Sequence, residues 1–353
     1  MSQPAFRTRS TRKGGMGKTI LALFILALIG TGGYFTYDTL GYQRALQTPA
    51  SQDTKLSKKI TIPTGSTLAQ VSSLLQKEGL ISDAATFSRY VRSQGKETDI
   101  QAGEYVLKPS TLIPDIAARL TGEVASVSRV TIPEGYTIKQ IDNLLKEKGL
   151  VKGDEFLECL QTCLLDSSLL PSIPDRNFEG FLFPETYLVD PDAFDVSGFV
   201  TDLLDQSSQT LSTYRPTIAS GKRSLYDVMI MASMVEKETI TDEERPIVAG
   251  ILWKRLDAGW FLGVDATTRY ATNDWQNPIT AEQLAQDNPY NTRKNKGLPP
   301  TPICNPGEKS IAAAVSPENS PYWYYLHDRE GNIRYARTQQ EHDLNREKYL
   351  GNL

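Results

Sequence analysis

The sequence predicts an α+β protein carried on one membrane span. Three observations lead there: a basic tail runs directly into an uncharged apolar stretch, a strand–turn–helix segment occurs twice at an offset of seventy residues, and the second half alternates short aromatic stretches with amphipathic segments around one helix that is apolar on most sides. At 353 residues the chain has room for two domains with a core each. A formal net charge of -4 argues against nucleic acid as a partner.

Residues 1–18 carry Arg7, Arg9, Arg12, Lys13 and Lys18 and no acid. Ile20 to Phe35 is apolar and uncharged, and a span over 19–37 is just long enough to cross a bilayer. No convincing small-x-small cleavage site follows, so the run reads as an uncleaved signal-anchor with its basic flank inside and everything after Asp38 outside. A cleaved signal peptide is the alternative. Lys13 to Thr19, KGGMGKT, looks like a phosphate-binding loop, whose amides cradle phosphate between a strand and a helix. Here no apolar strand precedes the motif and the membrane span follows it, so nucleotide binding is not expected.

Residues 38–58 are polar and read as a tether. Lys59 to Ile81 and Arg129 to Val151 then align without a gap. Each copy is a short strand, a Pro-x-Gly turn, a capping Thr and an amphipathic helix closed by Gly79 or Gly149. Leu68, Val71, Leu74 and Leu75 make the buried face of the first helix; Ile138, Ile141, Leu144 and Leu145 make that of the second. With an extended piece at Ala102 to Lys108 and a helix at Ile113 to Leu120, residues 59–128 form a small α+β module, suited equally to holding a polymer and to spacing.

Residues 129–353 are expected to form the larger domain. Asp154 to Leu165 should be helical, with Cys159 and Cys163 one turn apart. Cysteines so placed on one helix are poorly oriented to join, and Cys304 leaves the count odd, so all three are expected as core thiols; no zinc spacing exists, and neither metal nor cofactor is expected. Phe178 to Val189 reads as an aromatic strand and Phe199 to Leu211 as a helix.

Leu225 to Thr239, LYDVMIMASMVEKET, is the helix around which the domain is organised. Its apolar residues wrap most of the way round, the pattern of a helix buried by its own domain. Glu236 and Glu238 end it and point to nearly opposite sides, at roughly 100° per residue. Either carboxyl would enter an apolar setting that raises its pKa, and a carboxyl that keeps its proton near neutral pH can act as a general acid. The alternative is that one or both mark the solvated last turn of a core helix.

Downstream, Thr241 or Asp242 can cap a helix with Glu244 in its first turn, Pro246 near its start and Gly259 at its end. Leu262 to Tyr270 reads as strand or helix. Asn288 to Gly307 is a long loop dense in Pro, Gly and Asn, of a kind that usually carries function. Two strands, Pro321 to His327 and a second ending at Ala336, and a helix from Gln339 close the chain.

The order ASMVEKET, ERPIVAGILWKRL, VDATTRYA, YNT, GLPPTPICNPG, SPYWYYLHD and a final EH resembles the YceG-like family of membrane-anchored endolytic murein transglycosylases, colinearly from about Lys59 to the C-terminus. The chain departs from the family pattern at Gly263, Ala266, Thr301, Cys304 and Ile333. The resemblance implies a LysM-like module followed by a catalytic domain that cuts nascent peptidoglycan strands between MurNAc and GlcNAc, outside the cytoplasmic membrane, leaving 1,6-anhydro-MurNAc ends. It implies Glu238 as the catalytic acid, Glu236 as a supporting group, and Glu244, Arg245, Asp265, Tyr290 and Asn291 as supporting or substrate-binding residues. Peptidoglycan strands are the implied partner, with the membrane and the cell-wall synthesis proteins beside them. A wall hydrolase and a non-catalytic wall-binding scaffold remain as alternatives.

Overall fold

The structure, a computed structural model, describes residues 37–53, 57–123, 128–191 and 194–351. The basic tail, the Lys13–Thr19 motif and the Ile20–Phe35 span lie outside these residues. Among the described residues no helix is long and apolar enough to cross a membrane. The chain divides into two compact units, Met1–Ser126 and Val127–Leu353.

In the first unit, β1 (Lys58–Ile62) turns every second side chain inward, so that Ile60 and Ile62 are buried. The turn leads into α1 (Leu68–Lys77), where Thr67 and Gln70 form a reciprocal capping box, and Gly79, at φ +67°, ends the turn beyond the helix. α2 (Ala84–Ser93), capped by Asp83, is a helix that the sequence pattern did not single out. β2 (Gly103–Leu107) pairs antiparallel with β1, Ile60 opposite Tyr105, and α3 (Ile113–Leu120) completes a core that includes Leu75, Phe87 and Ile116. The expected tether begins as helix over 37–46, and Leu46 joins this core. An apolar side chain that finds a groove orders the segment bearing it, which composition alone does not convey.

The second unit opens with the second copy. β3 (Ser128–Thr131) precedes α4 (Ile138–Glu147), capped by Thr137 and Gln140 in the same box and followed by Gly149 at φ +69°. α5 (Glu155–Thr162) is shorter than expected: Cys163 is already extended, at ψ 143°. Leaving the helix lets its sulfur turn back, and Cys159 and Cys163 are joined in a disulfide, against the expectation of free thiols; Cys304 is buried and free. The aromatic run from Phe178 is strand only at β4 (Thr186–Val189), which pairs antiparallel with β3. Its earlier part is buried irregular backbone, bent at Gly180 (φ +88°), where a β-carbon would lie 2.5 Å from Pro302 Cβ. Asn305 makes that burial tolerable, accepting from the Leu182 amide at 2.8 Å.

α6 (Val196–Ser212) and α7 (Arg215–Ser220) lead to α8 (Leu225–Glu238), capped by Ser224 and Asp227. All eight residues from Val228 to Val235 are buried, which is why its apolar residues surround it. α9 (Glu244–Asp257) carries no side-chain cap; the Glu244 carboxylate instead accepts from the Ile240 and Thr241 amides at 2.8 and 3.4 Å. The ambiguous segment is helical, α10 (Asp265–Thr272), and α11 (Ala281–Ala285) leads into the proline loop. That loop is anchored to α8 where Ser233 Oγ accepts from the Ile303 amide at 3.0 Å. α12 (Glu308–Val315) packs along α8 and α9. β5 (Tyr324–His327) and β6 (Ile333–Ala336) form the closing hairpin, followed by α13 (Gln339–Leu350).

Candidate active site

α8 stops at Glu238 because Thr239 is extended, at φ -121° and ψ 147°. The Glu238 side chain therefore leaves the last turn among α10 and β5. Its Oε2 accepts from the Tyr325 hydroxyl at 2.9 Å, and the Ala266 amide at the start of α10 faces the same carboxyl. Burial pushes the Glu238 pKa up. The Tyr325 hydroxyl opposes this, the neighbouring Asp265 carboxylate adds to it, and the Ala266 amide and His327 ring pull down more weakly. The net direction is upward, toward a carboxyl that holds its proton.

β5 supplies two of these neighbours by strand alternation, Tyr325 and His327 lying on one face. His327 Nε2 is 3.1 Å from Glu244 Oε2. Glu244 itself, although burial acts to raise it, is held below the usual glutamate range by the Ile240 amide, His327 and the Thr241 amide. Arg255, in the last turn of α9, is pinned by the carbonyls of Trp323 and Leu262 at 2.8 and 2.6 Å. Its guanidinium lies 5.8 Å from the Tyr325 ring and favourably toward Glu238. Burial depresses the Arg255 pKa and lifts that of Tyr325.

Glu236 lies in a different setting. Its Oε2 accepts from Ser310 Oγ at 2.6 Å and from the Gly307 amide at 3.1 Å, and its Oε1 is 3.8 Å from Arg245. Both side chains are nearly buried, 8% exposed for Glu236 and 10% for Arg245. Arg245 also donates to Ser310 Oγ at 3.0 Å and pairs with Asp242. Glu236 is thus in a polar environment, not the apolar one expected from its helical neighbours, because Gly307 before α12 and Ser310 within it bring donors from 71 and 74 residues away.

Of the other expected residues, only Asp265 stands beside Glu238, and it is paired with Arg293 at 2.6 Å. Asn291 is 2% exposed and donates to the carbonyls of Leu284 and Gln286, so it shapes the loop and presents little surface to a ligand. Tyr290 bonds Thr301 at 2.9 Å and lies with its ring tilted against that of Tyr270 at 5.1 Å, and the Tyr270 hydroxyl donates to Glu179 at 3.1 Å. Glu179, 2% exposed, also accepts from the Ile138 amide, and burial pushes its pKa up to about 8.

Sequence reasoning missed Tyr325, His327, Arg255 and Glu179 as site residues. The alternation in WYYLHD could have paired Tyr325 with His327, and a lone acid in FEGFLF was a signal for Glu179. Among the described residues no group of three His, Cys, Asp or Glu stands ready to hold a metal ion.

The arrangement can deliver one proton and receive another at a single carboxyl, with a hydroxyl and an amide ready to stabilise the anion between the two events. The profile of the YceG-like family matches residues 60–348. The endolytic murein transglycosylase of Bacillus subtilis (strain 168) is 29% identical over 333 residues, covering 90% of this chain and 91% of that protein. The protein of the same name from Streptococcus pneumoniae (strain D39) is 32% identical over 355 residues, covering 92% of this chain and 63% of that longer protein. A crystal structure of a YceG-like protein from Listeria monocytogenes superposes with a TM-score of 0.56 at 29% identity, covering 82% of this chain and 99% of that one.

Proposed function

This chain belongs to the YceG-like family, and on that premise we infer that it is an endolytic murein transglycosylase with Glu238 as its acid. The observation that carries the assignment of Glu238 is its half-buried, desolvated carboxyl beside one hydroxyl donor and one amide, which favours the protonated form without preventing ionisation.

Protonated Glu238 gives its proton to the oxygen joining MurNAc C1 to GlcNAc O4 as the C1–O4 bond breaks. The resulting carboxylate, stabilised by Tyr325 and the Ala266 amide, takes the proton of the C6 hydroxyl of the same MurNAc while O6 closes on C1. The acid is regenerated, no water is consumed, and the new end is 1,6-anhydro-MurNAc. A hydrolase would need a second carboxylate to direct water or attack C1. The two considered for that part are engaged elsewhere: Asp265 is paired with Arg293, and Glu244 holds Ile240, Thr241 and His327.

The basic tail and apolar span anchor the chain in the cytoplasmic membrane with the N-terminus inside, so that both folded units work on the outer side. The LysM-like module of 59–128 holds glycan near that surface. Cutting strands there as they are made ends their elongation and places the enzyme among the cell-wall synthesis proteins.

Mass spectrometry of purified peptidoglycan incubated with the full chain tests this reading. It should yield anhydro ends inside former long strands. Reducing ends alone would make the protein a hydrolase, and no new ends a scaffold.

A further inference from the structure

We propose that a cavity floored by Glu179 is a second sugar subsite, one that takes a neutral N-acetylhexosamine of the glycan strand; the proposal rests on the transglycosylase reading and deepens it. The cavity lies wholly within the second unit, between α4, the buried loop at Glu179, α10 and Tyr290, and measures about 650 Å³. That is the size of a small-molecule pocket, roughly 300–1,000 Å³.

Its chemistry calls for a ligand rich in donors. Asp142 lines the wall and is 3% exposed; its Oδ2 pairs with Lys146 at 2.6 Å, while Oδ1 is buried with no hydrogen-bond partner among the described residues. A buried carboxylate oxygen left without a donor costs free energy, which a ligand N–H or O–H would relieve once the Asp142 side chain turns toward the cavity. Tyr270 and Tyr290, their centroids 5.1 Å apart and planes at 52°, give an aromatic wall against which the apolar face of a sugar ring can lie. Asn143 adds an exposed amide at the rim.

The charges select further. Asp142 and Asp154 line the cavity and share Lys146, while Glu179, its pKa pushed up to about 8 by burial, keeps its proton near neutral pH. Lys139 stands at the exposed rim. A cavity whose charges are paired in this way suits a neutral N-acetylated sugar, which brings hydroxyls and an amide N–H and no charge to balance. The subsite is also placed to grip the strand being cut. Tyr270 follows Ala266, which faces Glu238, by four residues on α10, about 6 Å along the helix. An enzyme that cleaves inside strands needs such a hold beyond the two sugars of the broken bond.

The test uses full chain carrying Glu238→Gln, which binds without cutting. It is titrated calorimetrically with a six-sugar strand of alternating N-acetylglucosamine and N-acetylmuramic acid lacking stem peptides. Adding Asn143→Trp, which fills the rim from an exposed helix position, should weaken binding by at least about tenfold, and Asp142→Asn by about tenfold, the worth of one charged hydrogen bond. With Glu238 restored, both changes should raise KM more than they lower kcat. Binding within twofold of the parent in both variants, with normal melting, overturns the subsite. Should Asp142→Asn fail to fold, Asn143→Trp decides alone. A parent that binds the strand, loses it on Asn143→Trp and yet makes no anhydro ends would leave the subsite standing and remove the transglycosylase reading.

Discussion

Glu236 and Glu238 leave α8 on opposite sides, one residue apart from the same lysine, and the fold surrounds them differently. Glu236 meets a hydroxyl, an amide and a guanidinium, supplied by α9, α12 and the turn before α12. Glu238 meets a tyrosine hydroxyl and an amide, with another carboxylate nearby and burial as the dominant influence. A carboxyl held by strong donors is fixed in place, whereas one desolvated with few donors holds a proton and can give it away. Two glutamates at one helix end thus take separate tasks, and the difference lies in what other segments bring to them.

Removing the cation tests the Glu236 side. Arg245→Ala leaves the nearly buried Glu236 without its guanidinium, while half-exposed Asp242 keeps Lys309, and should destabilise the second unit by about 3 kcal/mol, the cost of breaking a buried pair. A chemical-denaturation midpoint unchanged from the parent would show that the network does not hold α8, α9 and α12 together.

Removing one donor sharpens the Glu238 side with a smaller effect. Tyr325 pulls the acid's pKa down, so Tyr325→Phe lets it rise further. Because the acid must be protonated to act, the basic limb of the pH–rate profile should move to higher pH, with turnover at the optimum falling by about tenfold or less. A shift of that limb to lower pH would mean that the hydroxyl does not stabilise the carboxylate.

The sequence made some of this legible and hid the rest for a physical reason. Thr67 with Gln70, Thr137 with Gln140, and Gly79 with Gly149 act within a few residues, so both copies of the repeat could be read locally. The apolar surround of α8 was equally plain, and the resemblance supplied Glu238. Partners that arrive from far along the chain were not legible: Tyr325 reaches Glu238 across 87 residues and Asn305 reaches Leu182 across 123. Aromatic density at Phe178 suggested a strand because nothing local announces that Asn305 will satisfy a buried loop. The disulfide escaped because α5 ends at Thr162, and one residue of extended backbone changes where Cys163 points.

The comparison is tested most directly by making Glu238→Gln and Glu236→Gln in the full chain and measuring anhydro-end release beside thermal melts. Burial raises the folded pKa of Glu238, so its contribution to stability is fully present below the ordinary glutamate value and is lost as pH rises through the folded one. Gln, neutral throughout, should therefore leave the melting temperature near neutral pH unchanged or higher, while release falls by at least about 10²-fold. Glu236→Gln should lower the melting temperature and cost less release. If Glu238→Gln melts normally and still releases anhydro ends at the parental rate, Glu238 is not the acid.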